Sequence, residues 1–247
     1  MIVRDVTLPS AEENILFDDV LLHRAEIGQS DQVLRFWESP KTFVVLGRMS
    51  KEEDDLKIDS ILNDRIPVVR RSSGGGTVLQ GRGCLNYSLI LSKNNSAEIA
   101  DLRKSYSFIL GKVVAALNSL GINADFFPIS DIALRENQKK FSGNAQKRGR
   151  NFILHHGTVL YQFDLFLIEK YLKFPKDVPA YRQGRAHLDF VTNLSLNVSA
   201  FKEKMKESFG AEKKENGISP QEQNYLKDFL KLKKLRVDLK EHLLLES

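Results

Sequence analysis

Residues 66–91 read IPVVRRSSGGGTVLQGRGCLNYSLIL, and the placement of their glycines decides the fold. Ile66–Arg71 and Leu85–Leu91 are short apolar runs rich in β-branched residues or ending in long aliphatics, which makes each a strand. Between them stand three consecutive glycines, Gly74, Gly75 and Gly76. A dinucleotide or phosphate-loop fingerprint needs its glycines to follow a strand and open a helix. Here they lead into another strand, which argues against a doubly wound parallel sheet and for strands joined as hairpins.

Working outward, Ser10-Ala-Glu-Glu13 has capping-box spacing, and Ile15, Leu16, Val20 and Leu21 follow at helical intervals. Thr42–Gly47 reads as a buried strand ended by glycine. Downstream, Ile99, Leu102, Tyr106, Ile109, Val113, Leu117 and Leu120 predict one helix over 97–120, closed by Gly121. Ser130–Leu134 and Phe152–Tyr161 are strand-like and flank a basic, glycine-containing turn, Lys140–Arg150. Phe163–Phe174 and Val198–Phe209 are helical, the second stopped by Gly210. Residues 210–217, GAEKKENG, read as an exposed linker. Ser219-Pro-Gln-Glu222 then starts a last helix with the stripe Tyr225, Phe229 and Leu232. The pattern predicts an α+β fold: a mixed, partly antiparallel sheet flanked by helices over residues 1–209. Residues 210–247 form a linker and C-terminal helix, too short for a domain of their own.

The chain has 247 residues, 42% hydrophobic and 28% charged, enough for a packed core and incompatible with wholesale disorder. No run approaches the ~18 apolar residues of a membrane helix, and the N-terminus lacks the pattern of a secretory signal. The single cysteine, Cys84, cannot form an internal disulfide. These features predict a cytoplasmic chain with no membrane partner. The net charge of +5 is 37 basic minus 32 acidic residues. Two local concentrations matter more than the total: Arg70, Arg71 and Arg82, and Lys139, Lys140, Lys147, Arg148 and Arg150. They suit nucleic acid or a small anion, and the sequence has no nucleic-acid-binding signature to support the first.

Two segments look chemical. In Arg70–Thr77, three glycines let backbone N–H groups approach an oxygen-rich ligand, and two arginines supply forked donors for phosphate or carboxylate. The bland alternative is a flexible hairpin turn with a solvated arginine pair. The second is Lys140-Phe-Ser-Gly-Asn-Ala-Gln146, followed by His155-His-Gly-Thr158. A lysine there can neutralise a phosphate or polarise an acyl carbonyl. On a strand the two histidines point to opposite faces, so one can face a pocket while the other packs. A zinc site is the competing reading, with no obvious third ligand nearby.

Together, RRSSGGGTVLQGRGCLNYS and KKFSGNAQKR with HHGTVL resemble the two signature regions of the lipoate/biotin protein ligase superfamily, on its lipoate-protein ligase and octanoyltransferase side. Val33–Trp37 followed by Thr42–Gly47 is similar to that family's opening strands, and the resemblance covers roughly residues 10–195. It implies activation of lipoate with ATP and Mg²⁺ to lipoyl-adenylate, then transfer to a lysine of a lipoyl-domain acceptor protein. The alternative it carries is transfer of octanoyl or lipoyl groups from acyl carrier protein or a preformed adenylate. The resemblance implies that Arg71, Ser73, Gly74, Gly75, Gly76 and Thr77 line an acyl-adenylate pocket. Lys140 becomes the catalytic cation on phosphate and carbonyl oxygens. Ser142, Gly143, Asn144 and Ala145 shape a loop over the adenylate, and His156, Gly157 and Thr158 close the floor. Asp131 matches an acidic position expected to bind Mg²⁺ or the adenine side of the ligand.

The sequence departs from that pattern in three places. Gln80 stands where family members often carry histidine. Only Phe201–Ser247 follows the matched region, where bacterial ligases often carry an accessory domain or use a separate accessory protein. Octanoyltransferases of the superfamily use a thioester-forming cysteine ahead of the lysine segment, and Ala124-Asp-Phe-Phe-Pro has none. Cys84 reads as a small buried strand residue, with a catalytic thiol as the alternative. Tyr181-Arg-Gln-Gly-Arg-Ala-His187 reads either as a solvated basic turn or as a contact for ligand or acidic partner.

Overall fold

The computed structural model describes residues 1–233 and 235–239; the rest of the expected C-terminal segment lies outside the described residues. Its strands are β1 (Ile2–Asp5), β2 (Val33–Trp37), β3 (Phe43–Leu46), β4 (Val68–Arg70), β5 (Val78–Gln80), β6 (Cys84–Ser92), β7 (Ala124–Phe127), β8 (Asp131–Leu134), β9 (Lys140–Arg148), β10 (Phe152–Leu160) and β11 (Lys213–Lys214). Eight form one sheet in the order β11-β1-β2-β6-β10-β9-β8-β7, and β4-β3-β5 form a second. In the large sheet β1 runs parallel to β2 and β11, and the other pairs are antiparallel. This is the expected mixed α+β architecture.

Alternation along β6 explains how both faces of the large sheet are covered. Leu85, Tyr87, Leu89 and Leu91 meet Ile109, Val113 and Leu117 of the helix Leu102–Asn118 and Phe201 and Met205 of the helix Val198–Phe209. Ile90 points the other way, into a cluster with Leu16, Phe17, Val20 and Leu21 of the helix Ala11–Glu26. That helix begins with the predicted capping box, Ser10 with Glu13. A third cluster under the small sheet joins Val44 and Leu46 to Leu56, Ile61 and Tyr171.

Four boundaries differ from the sequence reading, the first being the helix expected over 163–174, which spans only Phe166–Tyr171. The helix over 97–120 is two helices, Ala97–Ala100 and Leu102–Asn118, because the Asp101 side chain accepts the Lys104 N–H and starts a new helix. Lys140–Arg148 is a nine-residue strand, and only residues 149–151 turn. Its polar residues are matched by built partners: Gln146 by His155, and Arg148 by the Ile99 carbonyl. Finally, the exposed segment 210–217 contributes β11, whose neighbour Glu215 pairs with buried Arg4 at 2.6 Å. The last helix, Pro220–Leu232, has the predicted box of Ser219 and Glu222 and lies on the N-terminal helix, where Tyr225 and Phe229 meet His23 edge-on. Beyond it, the Arg70 N–H donates to the Leu235 carbonyl, so the C-terminal segment extends the small sheet beside β4.

Candidate active site

A cleft of about 990 Å³ is walled by residues of both sheets, among them Gln80, Asn86, Lys140 and His156, and by the non-strand residues Arg71 and Arg182. The glycine-rich loop Arg71–Thr77 connects β4 to β5 at its rim. Arg71 does not project freely from this loop. Its guanidinium donates to the carbonyls of Gly74 at 2.7 Å and Gly76 at 2.8 Å and to Ser73 Oγ at 3.0 Å. The arginine therefore folds the loop around itself, and the loop carbonyls take the place of a carboxylate partner. Burial pulls its pKa down to about 10, because the cation has lost much of its water. Gly75 has φ +84°, a conformation L side chains rarely adopt, and Gly47 has no room for a side chain because the Gly75 carbonyl lies 1.9 Å from where its Cβ would be.

The two ends of the expected second motif meet across β8 and β9. Asp131 pairs with Gly143 in register, and Lys140 Nζ lies 2.8 Å from Asp131 Oδ1. Tyr181 donates its hydroxyl to the other carboxylate oxygen at 2.8 Å. Burial, reinforced by the Asp131 charge, raises the Tyr181 pKa, so the phenol stays a donor. Gly143 leaves the channel that Lys140 occupies: a Cβ there would lie 3.2 Å from Nζ. Asn144 faces a different task. Its amide donates to the Ser130 carbonyl at 2.9 Å and its oxygen accepts the Tyr87 hydroxyl. Gly157 makes room for that pair, since a Cβ would sit 1.9 Å from Asn144 Oδ1. Ser142, Gly143, Asn144 and Ala145 are thus strand residues of the cleft wall, a correction to the expected loop.

Alternation separates the histidines as the strand reading requires. His155 is fully buried between Tyr87 and Tyr106, and burial drops its pKa to about 3. His156 faces the cleft, with Nε2 2.7 Å from Ser73 Oγ and Nδ1 3.7 Å from Asp18 Oδ2. Asp18 is itself held by Arg35 at 2.7 Å and by the Ser88 hydroxyl at 2.6 Å. Burial opposes its charge, and Arg35 with His156 outweighs burial, leaving its pKa below the usual carboxylate value. Ser73 reaches the site through this chain from behind the wall, Gly74 is exposed, and Gly75, Gly76, Thr77, Gly157 and Thr158 border the cleft.

Sequence reasoning missed Asp18 and Asp19. Asp19 accepts Ser72 Oγ at 2.6 Å and pairs with Lys147 and Lys233, each at 2.8 Å. The two neighbouring carboxylates of the first helix therefore brace both serines of the loop, Ser72 directly and Ser73 through His156. The available signal was a pair of acids inside the apolar stretch Ile15–Leu22. Gln80 is buried and accepts from Asn86 Nδ2 at 2.8 Å. Cys84 is fully buried, and burial raises the pKa of its thiol, the opposite of an activated nucleophile.

Metal chemistry can be judged from the donors. Both Asp131 oxygens are engaged, by Lys140 and Tyr181, and no group of three His, Cys, Asp or Glu side chains among the described residues could hold a metal. Asp131 as it stands, with Lys140 on one oxygen and the Tyr181 hydroxyl on the other, does not fit a protein-held Mg²⁺. No helix among the described residues is long and apolar enough to cross a membrane.

A family model, the lipoyl protein ligase A/B catalytic domain, matches residues 10–210. A probable lipoate-protein ligase A of Mycoplasma pneumoniae is 31% identical over 163 residues, covering 66% of this chain and 46% of that protein. An octanoyltransferase LipM of Oceanobacillus iheyensis is 26% identical over 206 residues, covering 78% of this chain and 75% of that protein. The chain spans less than half the length of the first of these. Among solved structures, a bi-partite lipoate protein ligase from Thermoplasma acidophilum superposes with a TM-score of 0.78 at 19% identity, covering 94% of this chain and 92% of that one. A lipoate-protein ligase A bound with ATP superposes at 0.76 and 21% identity, covering 94% of each chain. At such identities the structural likeness speaks to the fold, and the matched family model carries the assignment. On that match over residues 10–210, the chain belongs to the lipoyl protein ligase A/B catalytic-domain family.

Proposed function

We propose that this protein is a lipoate-protein ligase, forming lipoyl-adenylate from ATP and lipoate and passing the lipoyl group to a lysine of a lipoyl domain. The observation that carries the reading is the Lys140–Asp131–Tyr181 array on the wall of a cleft whose other rim is the Arg71 loop. In the first step a lipoate carboxylate oxygen bonds to the α-phosphorus of ATP and pyrophosphate leaves. In the second, the acceptor amine bonds to the acyl carbon and AMP leaves. Both steps build negative charge on oxygen, and neither needs a protein nucleophile. Lys140 supplies the fixed cation, Asp131 and Tyr181 hold it in place, and Gly75 and Gly76 of the loop border the cleft in which the ligand would lie. Mg²⁺ would arrive as the counterion of ATP. One superposing lipoate-protein ligase bound with ATP and another with bound lipoic acid support the choice of substrates.

The second reading is an octanoyl or lipoyl transferase, favoured by the similarity to the LipM octanoyltransferase over 78% of this chain and 75% of that protein. Buried Cys84 argues against a covalent thioester on this chain. The test supplies a lipoyl domain with three donors in turn: ATP plus lipoate, preformed lipoyl-adenylate, and octanoyl-acyl carrier protein. The ligase reading predicts that the acceptor gains the lipoyl mass with the first two. Acylation only from the carrier protein, lost in Cys84→Ala with folding intact, establishes the transferase instead.

A further inference from the structure

The family match ends at residue 210, and the chain beyond it turns back onto the support of the glycine-rich loop. Its helix Pro220–Leu232 is anchored by a buried charge cluster: Glu222, fully buried, takes Arg4 at 3.0 Å and also Arg24. Past that helix the segment 235–237 runs beside β4. The Arg70 N–H donates to the Leu235 carbonyl and the Val237 N–H to the Val68 carbonyl, each at 2.9 Å. Leu235 is buried in the same cluster as Val69. β4 is thus held by β3 on one edge and by this segment on the other, and it leads directly into Arg71–Thr77. A second link is ionic. Lys233 lies 2.8 Å from Asp19 Oδ2, while Oδ1 of that buried carboxylate takes the Ser72 hydroxyl at 2.6 Å and Lys147 at 2.8 Å. Burial opposes the Asp19 charge and the two lysines outweigh it, leaving its pKa below the usual carboxylate value. Leaving one oxygen of a buried carboxylate unpaired is costly, so without Lys233 the group turns toward Lys147 and carries the Ser72 contact with it.

We infer that Lys233 is a positioning residue, and that together with the segment 235–237 it forms a strap that sets the conformation of the Arg71–Thr77 loop from outside the cleft. The strap acts at two points, on Val68–Arg70 just before the loop and on Ser72 within it. Neither Lys233 nor the segment 235–237 lines the cleft, so their effect reaches a ligand only through the loop. The consequence for ligand binding rests on the ligase reading, whereas the ordering of the loop does not.

The test compares the full chain as wild type, K233A, K233R and V237P by amide hydrogen exchange of the segment 71–80, read by mass spectrometry, and by pyrophosphate release from lipoate at varied ATP. In K233A the loop amides should exchange about threefold to tenfold faster while β6 and β10 keep their rates. The KM for ATP should rise by a similar factor at unchanged kcat. K233R keeps the charge and should restore both. V237P loses the hydrogen bond to the Val68 carbonyl and should loosen the loop with Asp19 left as it is. Loop exchange at the wild-type rate in K233A overturns the assignment of Lys233, and in V237P that of the strap. Faster exchange spread evenly over the loop, β6 and β10 marks general destabilisation and overturns both. Wild type that releases no pyrophosphate removes the ligase reading; loop exchange then decides alone, faster exchange in K233A supporting the inference and unchanged exchange overturning it.

Discussion

Gly157→Ala puts one methyl group where the structure has no space for it. Its Cβ would lie 1.9 Å from Asn144 Oδ1 and 2.7 Å from both Cζ and the hydroxyl of Tyr87, in the buried centre of the β6-β10-β9 ladder. Neither neighbour is the loose end of a flexible chain, because Asn144 is also tied to the Ser130 carbonyl. Relief therefore requires a strand shift or rupture of the Tyr87–Asn144 hydrogen bond. Overpacking of this kind costs about 2 kcal/mol, and leaving the Tyr87 hydroxyl without its acceptor adds about 1.5 kcal/mol. A chain of this length loses about 2–4 °C of Tm per kcal/mol, so thermal unfolding should begin about 7–14 °C lower. Tyr87→Phe removes the displaced hydroxyl, so the double variant should lose less than the sum of the single variants. A Gly157→Ala protein melting within about 2 °C of wild type, with additive costs, would refute the claim that Gly157 exists to seat this pair.

Lys140→Ala should lower acyl transfer by about a hundredfold to a thousandfold while moving the thermal midpoint little, since the partly exposed lysine serves the ligand more than the fold. A variant with normal turnover shows that the cation has been misassigned. The buried imidazole of His155, with a pKa near 3 against 6.5 when exposed, makes the unfolded chain bind the extra proton between those values. Stability should then fall by about 2 kcal/mol from pH 7 to pH 5, and urea unfolding of His155→Gln should lack that part of the decline. Cys84→Ala should leave acylation intact, and the folded wild-type thiol should resist alkylation; rapid labelling contradicts the burial argument. Asp19→Asn weakens the grip of Lys147 and Lys233 beside Ser72, and should raise the KM for ATP more than it lowers kcat. A pure kcat effect would remove Asp19 from the support of the loop.

Most elements that carry the cleft could be read from local pattern, because capping boxes, β-branched runs and glycine stops act within a few residues. The segment 140–148 could not. Its glycine, asparagine, glutamine and basic residues have the composition of a turn, and only the partners supplied by Tyr87, His155 and the Ile99 carbonyl make them strand residues. β1 and β11 are an equally non-local pair, joined across more than two hundred residues. In the site, motif residues such as Lys140, Asp131 and His156 were visible as types, whereas their support was not. Asp18 and Asp19 look like helix-surface acids until the fold brings Arg35, Ser72, Ser88 and Lys147 to them. Arg182 reads from sequence either as part of a solvated turn or as a contact, and only the fold shows it buried against Phe174 and Phe190.

Acyl-adenylate formation by this chain alone is the central claim, and pyrophosphate release tests it most directly. The purified protein is given ATP, Mg²⁺ and lipoate without any acceptor, with octanoate and biotin run in parallel. The account predicts lipoate-dependent release that disappears in Lys140→Ala. No release by wild-type protein that still acylates a lipoyl domain from a preformed adenylate or an acyl carrier donor would contradict it.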